Sequence, residues 1–220
     1  MIKFIRLLIL VLALSPAPAR PSEFTPTNWS EGMHLLAGGG INSSLIHTDK
    51  VREEIGLGTN FQTALGYYFN EKYAIEWNAA VNFNSFGGFL IWDTAFTIGL
   101  RFQFPEWAKI EQRLGEPYGR IFFGRAPTVV YFNGQAPPGI EPGVERVQID
   151  GPIWGVALGS FYHSTSGRIW YSEIVATHHD LTNETGIRMN GEVPVQMYNR
   201  STLDHPIIYS IYVTVGVMAF

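Results

Sequence analysis

Tyr73-Ala-Ile-Glu-Trp-Asn-Ala-Ala-Val-Asn-Phe83 decides how the rest of the chain reads. Its odd positions, Tyr73, Ile75, Trp77, Ala79, Val81 and Phe83, are apolar, while the even positions from Lys72 run Ala74, Glu76, Asn78, Ala80 and Asn82. Successive side chains on a strand point to opposite faces, so this stretch reads as a strand with one oily face and one polar or small face. A soluble sandwich would bury the oily face against a second sheet and cover the other with Lys and Glu. Here the polar face carries Asn and Ala with few charges, which fits a crowded lumen, and the oily face is then turned outward to lipid.

The same alternation recurs on both sides. Ile55, Leu57, Phe61, Leu65, Tyr67 and Phe69 oppose Gly56, Gly58, Asn60, Gln62, Ala64 and Gly66. Leu90, Trp92, Phe96, Ile98, Leu100, Phe102 and Phe104 oppose Asp93, Thr97, Arg101 and Gln103. Each run exceeds the ~9–11 residues a tilted strand needs to cross the hydrocarbon. Extending the pattern predicts strands at 32–44, 54–69, 72–84, 88–104, 118–132, 151–163, 168–179 and 206–220. Lipid supplies no hydrogen-bond partners, so such strands must close on themselves. The expected fold class is therefore all-β, an antiparallel up-and-down transmembrane β-barrel of about eight strands, whose interior is just wide enough for side chains to fill.

Connections alternate in length. Residues 70–72 and 164–167 read as tight turns, whereas 133–150 and 180–205 are long, polar and rich in Pro, Gly and Asn. That asymmetry predicts short periplasmic turns, long outer loops and both termini in the periplasm. Pro105 to Pro117 is the exception, a long periplasmic connection in which Trp107-Ala-Lys-Ile-Glu-Gln-Arg-Leu114 has the spacing of a short interfacial helix. At the N-terminus, Lys3 and Arg6 precede an apolar run from Leu7 to Leu14, and Ala17-Pro18-Ala19 has the small-x-small form read by signal peptidase. Residues 1–19 are expected to be a signal peptide and 20–220 a single barrel domain. The chain has no cysteine, which excludes a disulfide scaffold and a lipid anchor on a mature N-terminal Cys. A net charge of −4 provides no electrostatic case for nucleic acid. Aromatic residues make up 14% of the chain, which suits interfacial girdles, and Trp77, Trp92, Trp154 and Trp170 are expected to face lipid.

On the inward face the alternation gathers charge: Glu76, Asp93, Arg101 and Glu173, with either Arg120 or Arg125. The two arginines share neither parity nor, therefore, a face, so a bulge or strand end is expected near Pro127. Buried charges are tolerated when paired, and the reading is a salt-bridge cluster that holds the barrel closed, with a gated ion path or a small binding site as the alternative. His178-His179-Asp180 on the outer rim and Asp204-His205 across the last long loop are candidate metal ligands or acid–base groups, with solvated rim residues as the alternative. Gly38-Gly39-Gly40 has no strand-to-helix context, so close strand approach accounts for it better than a phosphate loop.

Taken together these patterns resemble the small outer-membrane β-barrel superfamily of OmpA transmembrane domains and their OmpX and OmpW relatives. Glu116-Pro117-Tyr118 with Gly119 and Gly124 is similar to a strand opening common there, and Met218-Ala219-Phe220 resembles the C-terminal signal read by the barrel assembly machinery. The resemblance implies insertion by that machinery into lipid and lipopolysaccharide, with no cofactor. His163-Ser164 followed by Glu173, with His179 nearby, resembles more distantly the His, Ser and Glu of PagL-type lipid A deacylases; the His-x-Ser-Asn run of that family is absent. A serine beside a histidine is sound nucleophile chemistry. The expected role is a non-enzymatic outer-membrane scaffold whose outer loops, one stiffened by Pro137-Pro138-Gly139, meet an extracellular partner. An outer-membrane ester hydrolase and a narrow channel for small solutes are the alternatives.

Overall fold

The computed structural model describes residues 32–47, 54–104, 115–132, 144–164, 167–190, 193–197 and 206–219. They form twelve strands: β1 (Gly32–His47), β2 (Glu54–Tyr68), β3 (Tyr73–Ser85), β4 (Phe89–Gln103), β5 (Glu116–Arg125), β6 (Thr128–Phe132), β7 (Val144–Asp150), β8 (Pro152–His163), β9 (Ile169–Asp180), β10 (Asn183–Asn190), β11 (Val193–Met197) and β12 (Ile207–Ala219). Eight of them, β1-β2-β3-β4-β5-β8-β9-β12, close into an antiparallel ring, with β12 returning to pair along β1 from Leu35↔Ala219 to His47↔Ile207. The start of β1 and the end of β12 lie at the same end of the barrel as the tight turns after β2 and β8.

The ring continues beyond itself on one side. Above the β5–β4 pairing, β6 takes over the upper part of β4, from Phe89↔Phe132 to Asp93↔Thr128. β7 then pairs with β6, β10 with β7, and β11 folds back on β10. Three neighbouring barrel strands are thus interrupted at one level, at Ala126-Pro127, at Gly151 and after Asp180. Proline has no N–H to give to a ladder. The backbone is bridged across the seam by Thr94 N–H to Pro127 O (3.0 Å), Ala126 N–H to Gly151 O (3.1 Å) and Leu181 N–H to Pro206 O (3.1 Å).

Segments 133–150 and 180–205, read from sequence as loops, therefore contain β7, β10 and β11. The alternation of Val144-Glu-Arg-Val-Gln-Ile-Asp150 is real, with Val147 and Ile149 buried, but it is short and framed by the Pro and Gly that signal turns. The expected signal peptide, the interfacial helix at 107–114, His205 and Phe220 lie outside the described residues.

The outer surface is apolar. Tyr73, Trp77 and Phe96 are 42%, 53% and 57% exposed, on one continuous wall rather than between two stacked sheets. Tyr67, Tyr73 and Trp170 ring the turn end and Trp92, Trp154 and Tyr209 the opposite end, with Leu65, Leu100, Leu158 and Val215 between. An exposed apolar surface this extensive marks an interaction surface, and aromatic residues at both ends of an apolar band, which also holds Phe61, Phe96 and Phe123, fit a transmembrane barrel. Inward residues alternate with these along every barrel strand.

Candidate functional site

The interior is layered. Nearest the turn end, Leu36, Tyr68, Tyr118, Phe161, Tyr171 and Met218 pack as an apolar floor. Gly159 lies on β8 opposite Tyr118 of β5; a Cβ there would stand 2.5 Å from the Tyr118 ring, so the missing side chain is what lets that tyrosine lie across the lumen.

Above the floor sits a buried ionic network. Arg101 Nε donates to Glu76 Oε1 at 2.7 Å and its Nη2 to Oε2 at 3.1 Å, a bidentate pair. His34 Nε2 lies 2.8 Å from the same Oε1. Glu173 receives Arg120 Nη2 at 2.7 Å, Gln62 Nε2 at 2.6 Å and the Tyr118 hydroxyl at 3.0 Å. Arg120 Nη1, 3.8 Å from Glu76 Oε2, joins the two halves. The Arg101 guanidinium also lies over the Tyr118 ring, 3.9 Å from its centroid, a cation–π contact in a dry setting. The network ties β1, β2, β3, β4, β5 and β9 together, so six of the eight ring strands share one cluster of charges. Its chemistry is cohesion: every carboxylate oxygen of Glu76 and Glu173 faces a donor.

Between the network and the outer end, Phe122, Ala157, Val175 and Tyr212 form a second apolar layer. Asn60 Nδ2 donates to Thr214 Oγ1 at 2.8 Å, on the turn side of Tyr212 along β12; above that layer Asn82 Nδ2 donates to Asp93 Oδ1 at 2.6 Å, and Ser44 and Ser210 share a 2.7 Å hydrogen bond. Over them Ile46, Phe86, Phe89, Ile91, Val130, Val147, Ile149, Leu181 and Ile208 form an apolar cap built by the tops of the ring strands and by β6 and β7.

Glu76, Asp93, Arg101 and Glu173 all point into the lumen, but at two levels, with Asp93 apart from the other three. Of the two arginines, Arg120 is the inward one. Arg125 is on the outer wall, paired with Asp150; the strand ends at Arg125 and resumes at Thr128 with its parity kept, Ala126 and Thr128 both being buried. His178 and His179 are neighbours on β9 and so face opposite ways: His178 stands outside between the rings of Trp154 and Tyr209, and His179 is buried inside. They do not converge on one ion, and among the described residues no group of three His, Cys or acidic side chains does. His163 is at the turn end, 3.4 Å from Glu116, and Ser164 is in the adjoining turn, its N–H bonded to Arg168 O. Glu173 lies four residues up β9 from the partner of His163, roughly 13 Å along the strand, so the three are not brought together. Of the residues that complete the network, Gln62 was read only as part of a polar face and Tyr118 only as part of a strand opening, while His34 and Tyr171 were not singled out from sequence. Inward parity on β1, β2, β5 and β9 would have found them.

No protein-family model matches the chain, and no curated protein matches it in sequence. Solved structures do resemble it. Neisserial surface protein A superposes with a TM-score of 0.50 at 11% identity, over 86% of this chain and 98% of that one. Ail, the attachment invasion locus protein of Yersinia pestis, gives 0.45 at 14% identity over 84% and 98%. OprG from Pseudomonas aeruginosa gives 0.39 at 13% identity over 86% and 97%. At such identities the likeness speaks to fold alone, and the fold shared with Neisserial surface protein A is a closed, eight-stranded antiparallel β-barrel.

Proposed function

We propose, from the premise of that fold, that the chain is a closed outer-membrane scaffold that holds its outer connections in place for interaction and transports nothing through its centre. The observation that carries this reading is the filled lumen: floor, ionic network, second apolar layer and cap occupy successive levels. An ion crossing it would have to part Arg101 and Arg120 from their carboxylates, at a cost of several kcal/mol for each buried charge stripped of its partner. Lipid and lipopolysaccharide would contact the outer wall, the barrel assembly machinery would insert it, and a partner outside the cell would meet the end that carries β6, β7, β10 and β11. Loops on a rigid frame are where recognition normally resides.

Planar-bilayer recording of the purified, refolded protein is the direct test. No steady conductance above the bare-membrane level is expected, and sustained single-channel steps would replace the scaffold reading with the transport one. Orientation is checked separately by proteolysis of intact cells. Cleavage is expected within 133–143 and 191–206, while the turns at 69–72 and 164–168 are cut only after the outer membrane is permeabilised. The reverse pattern would invert the assignment of ends. Lipid A isolated with and without the protein is expected to carry the same acyl chains, since His163, Ser164 and Glu173 are not assembled into a hydrolytic group.

A further inference from the structure

The upper lumen holds a buried carboxyl group that no side chain of opposite charge pairs with among the described residues. In the network below, two carboxylates face two guanidiniums. Asp93 is 1% exposed, and its hydrogen bond comes from a neutral group, the amide of Asn82; among the described residues no cationic side chain pairs with it. Around it, the amide oxygens of Asn42, Asn82 and Asn84 are buried without a donor.

Register brings these groups onto one patch of the inner wall. Asn82 is directly opposite Asp93 on β4, and Asn84 follows two residues later on the same face of β3. Asn84 is opposite Gly58 on β2, which is opposite Asn42 on β1. A Cβ on Gly58 would stand 2.6 Å from Asn42 Oδ1. The amide oxygen of Asn42 therefore lies over the glycine and leans across β2 towards Asn84. His179 and Thr177 close the chamber from β9, and Tyr212 and Ser210 from β12.

A buried carbonyl oxygen without a donor is costly, and a buried carboxylate without a cation more so. Asn60 Oδ1, opposite Asn82, and Thr177 Oγ1 and both ring nitrogens of His179 are also buried without a partner, but on the side of Asp93 the unpartnered groups are oxygen acceptors: amide oxygens beside a carboxyl. Oxygen donors of this sort suit hard cations. A single carboxylate among neutral amides is neutralised by one positive charge, whereas a divalent ion would leave a net charge in a dry interior. We propose that Asp93 and the amide oxygens of Asn42, Asn82 and Asn84 form a binding site for one alkali-metal cation in the upper lumen. The cap above and the ionic network below hinder exchange, so occupancy acts on the stability of the barrel rather than on conduction.

The test uses the refolded protein in zwitterionic detergent micelles, with thermal unfolding followed by heat-modifiable gel mobility. Sodium or potassium chloride is compared with N-methyl-D-glucamine chloride at equal ionic strength. The midpoint is expected to rise by roughly 5 °C or more in the alkali salts and to saturate with concentration. Asp93→Asn, which keeps the shape of the side chain, is expected to abolish that difference, and Asn84→Ala to move saturation to about tenfold higher concentration. Excess sodium-23 relaxation should accompany the wild type and be lost in Asp93→Asn; if that variant does not fold, Asn42→Ala serves the same comparison. Equal midpoints in alkali and N-methyl-D-glucamine salts for the wild type, or an alkali-dependent rise that survives in Asp93→Asn, would overturn the proposal.

Discussion

Arg101→Leu is expected to destabilise the refolded barrel by about 3–5 kcal/mol, the cost of leaving one member of a buried ion pair alone. Arg101 is fully buried and makes two of the hydrogen bonds to Glu76; without it that carboxylate keeps His34 at 2.8 Å and the more distant Arg120 at 3.8 Å. Loss of the guanidinium also uncovers the Tyr118 ring on which it lies. The measurement is the urea midpoint in lipid vesicles, read by the gel mobility of folded against unfolded chain. Removing both charges, as Glu76→Gln with Arg101→Leu, is expected to recover much of the loss, because a pair deleted together leaves no orphaned ion while Arg120 keeps Glu173. A single variant within about 1 kcal/mol of wild type would mean that water reaches the network.

Arginine placed on the outer wall is expected to have an effect graded by height. Leu158 is outward and 67% exposed, midway along β8 between Trp154 near one girdle and His163 at the turn end. Leu158→Arg should cost about 2–4 kcal/mol in vesicles, the penalty for a cation at the bilayer midplane. Tyr209→Arg, near the start of β12 in the outer girdle, should cost about 0–1 kcal/mol, because the long side chain reaches the headgroups. Equal, small effects at both sites would mean that the outward aliphatic band meets water, and the membrane assignment would fall with it.

Much of this architecture was legible in the residues because two-fold alternation is a strong signal when it recurs. The stretch from Tyr73 to Phe83 assigns both faces of β3 without help from its neighbours, and the runs through Phe61 and Phe96 repeat it. Parity has a limit, however: it tells which way a side chain points and nothing about its level in the lumen. It groups Asp93 with Glu76, Arg101 and Glu173, although inter-strand register sets Asp93 opposite Asn82 and away from the guanidiniums. It likewise cannot say that Tyr118 and Gln62 reach Glu173, since those contacts span 55 and 111 residues of chain and depend on how eight strands are staggered around the ring. The extension through β7, β10 and β11 was obscured for another reason. Each piece is short, and the Pro and Gly beside it are also what a loop would use.

The aligned interruptions at Ala126-Pro127, Gly151 and Leu181 have an engineering consequence. Below them the ring is hydrogen-bonded through β4–β5, β5–β8, β8–β9 and β9–β12 with no contribution from the strands above. The chain is therefore built in two storeys that meet along β4, which pairs with β5 below and β6 above. A foreign hairpin put in place of the upper storey is expected to leave the lower one closed through β4–β5, β5–β8, β8–β9 and β9–β12.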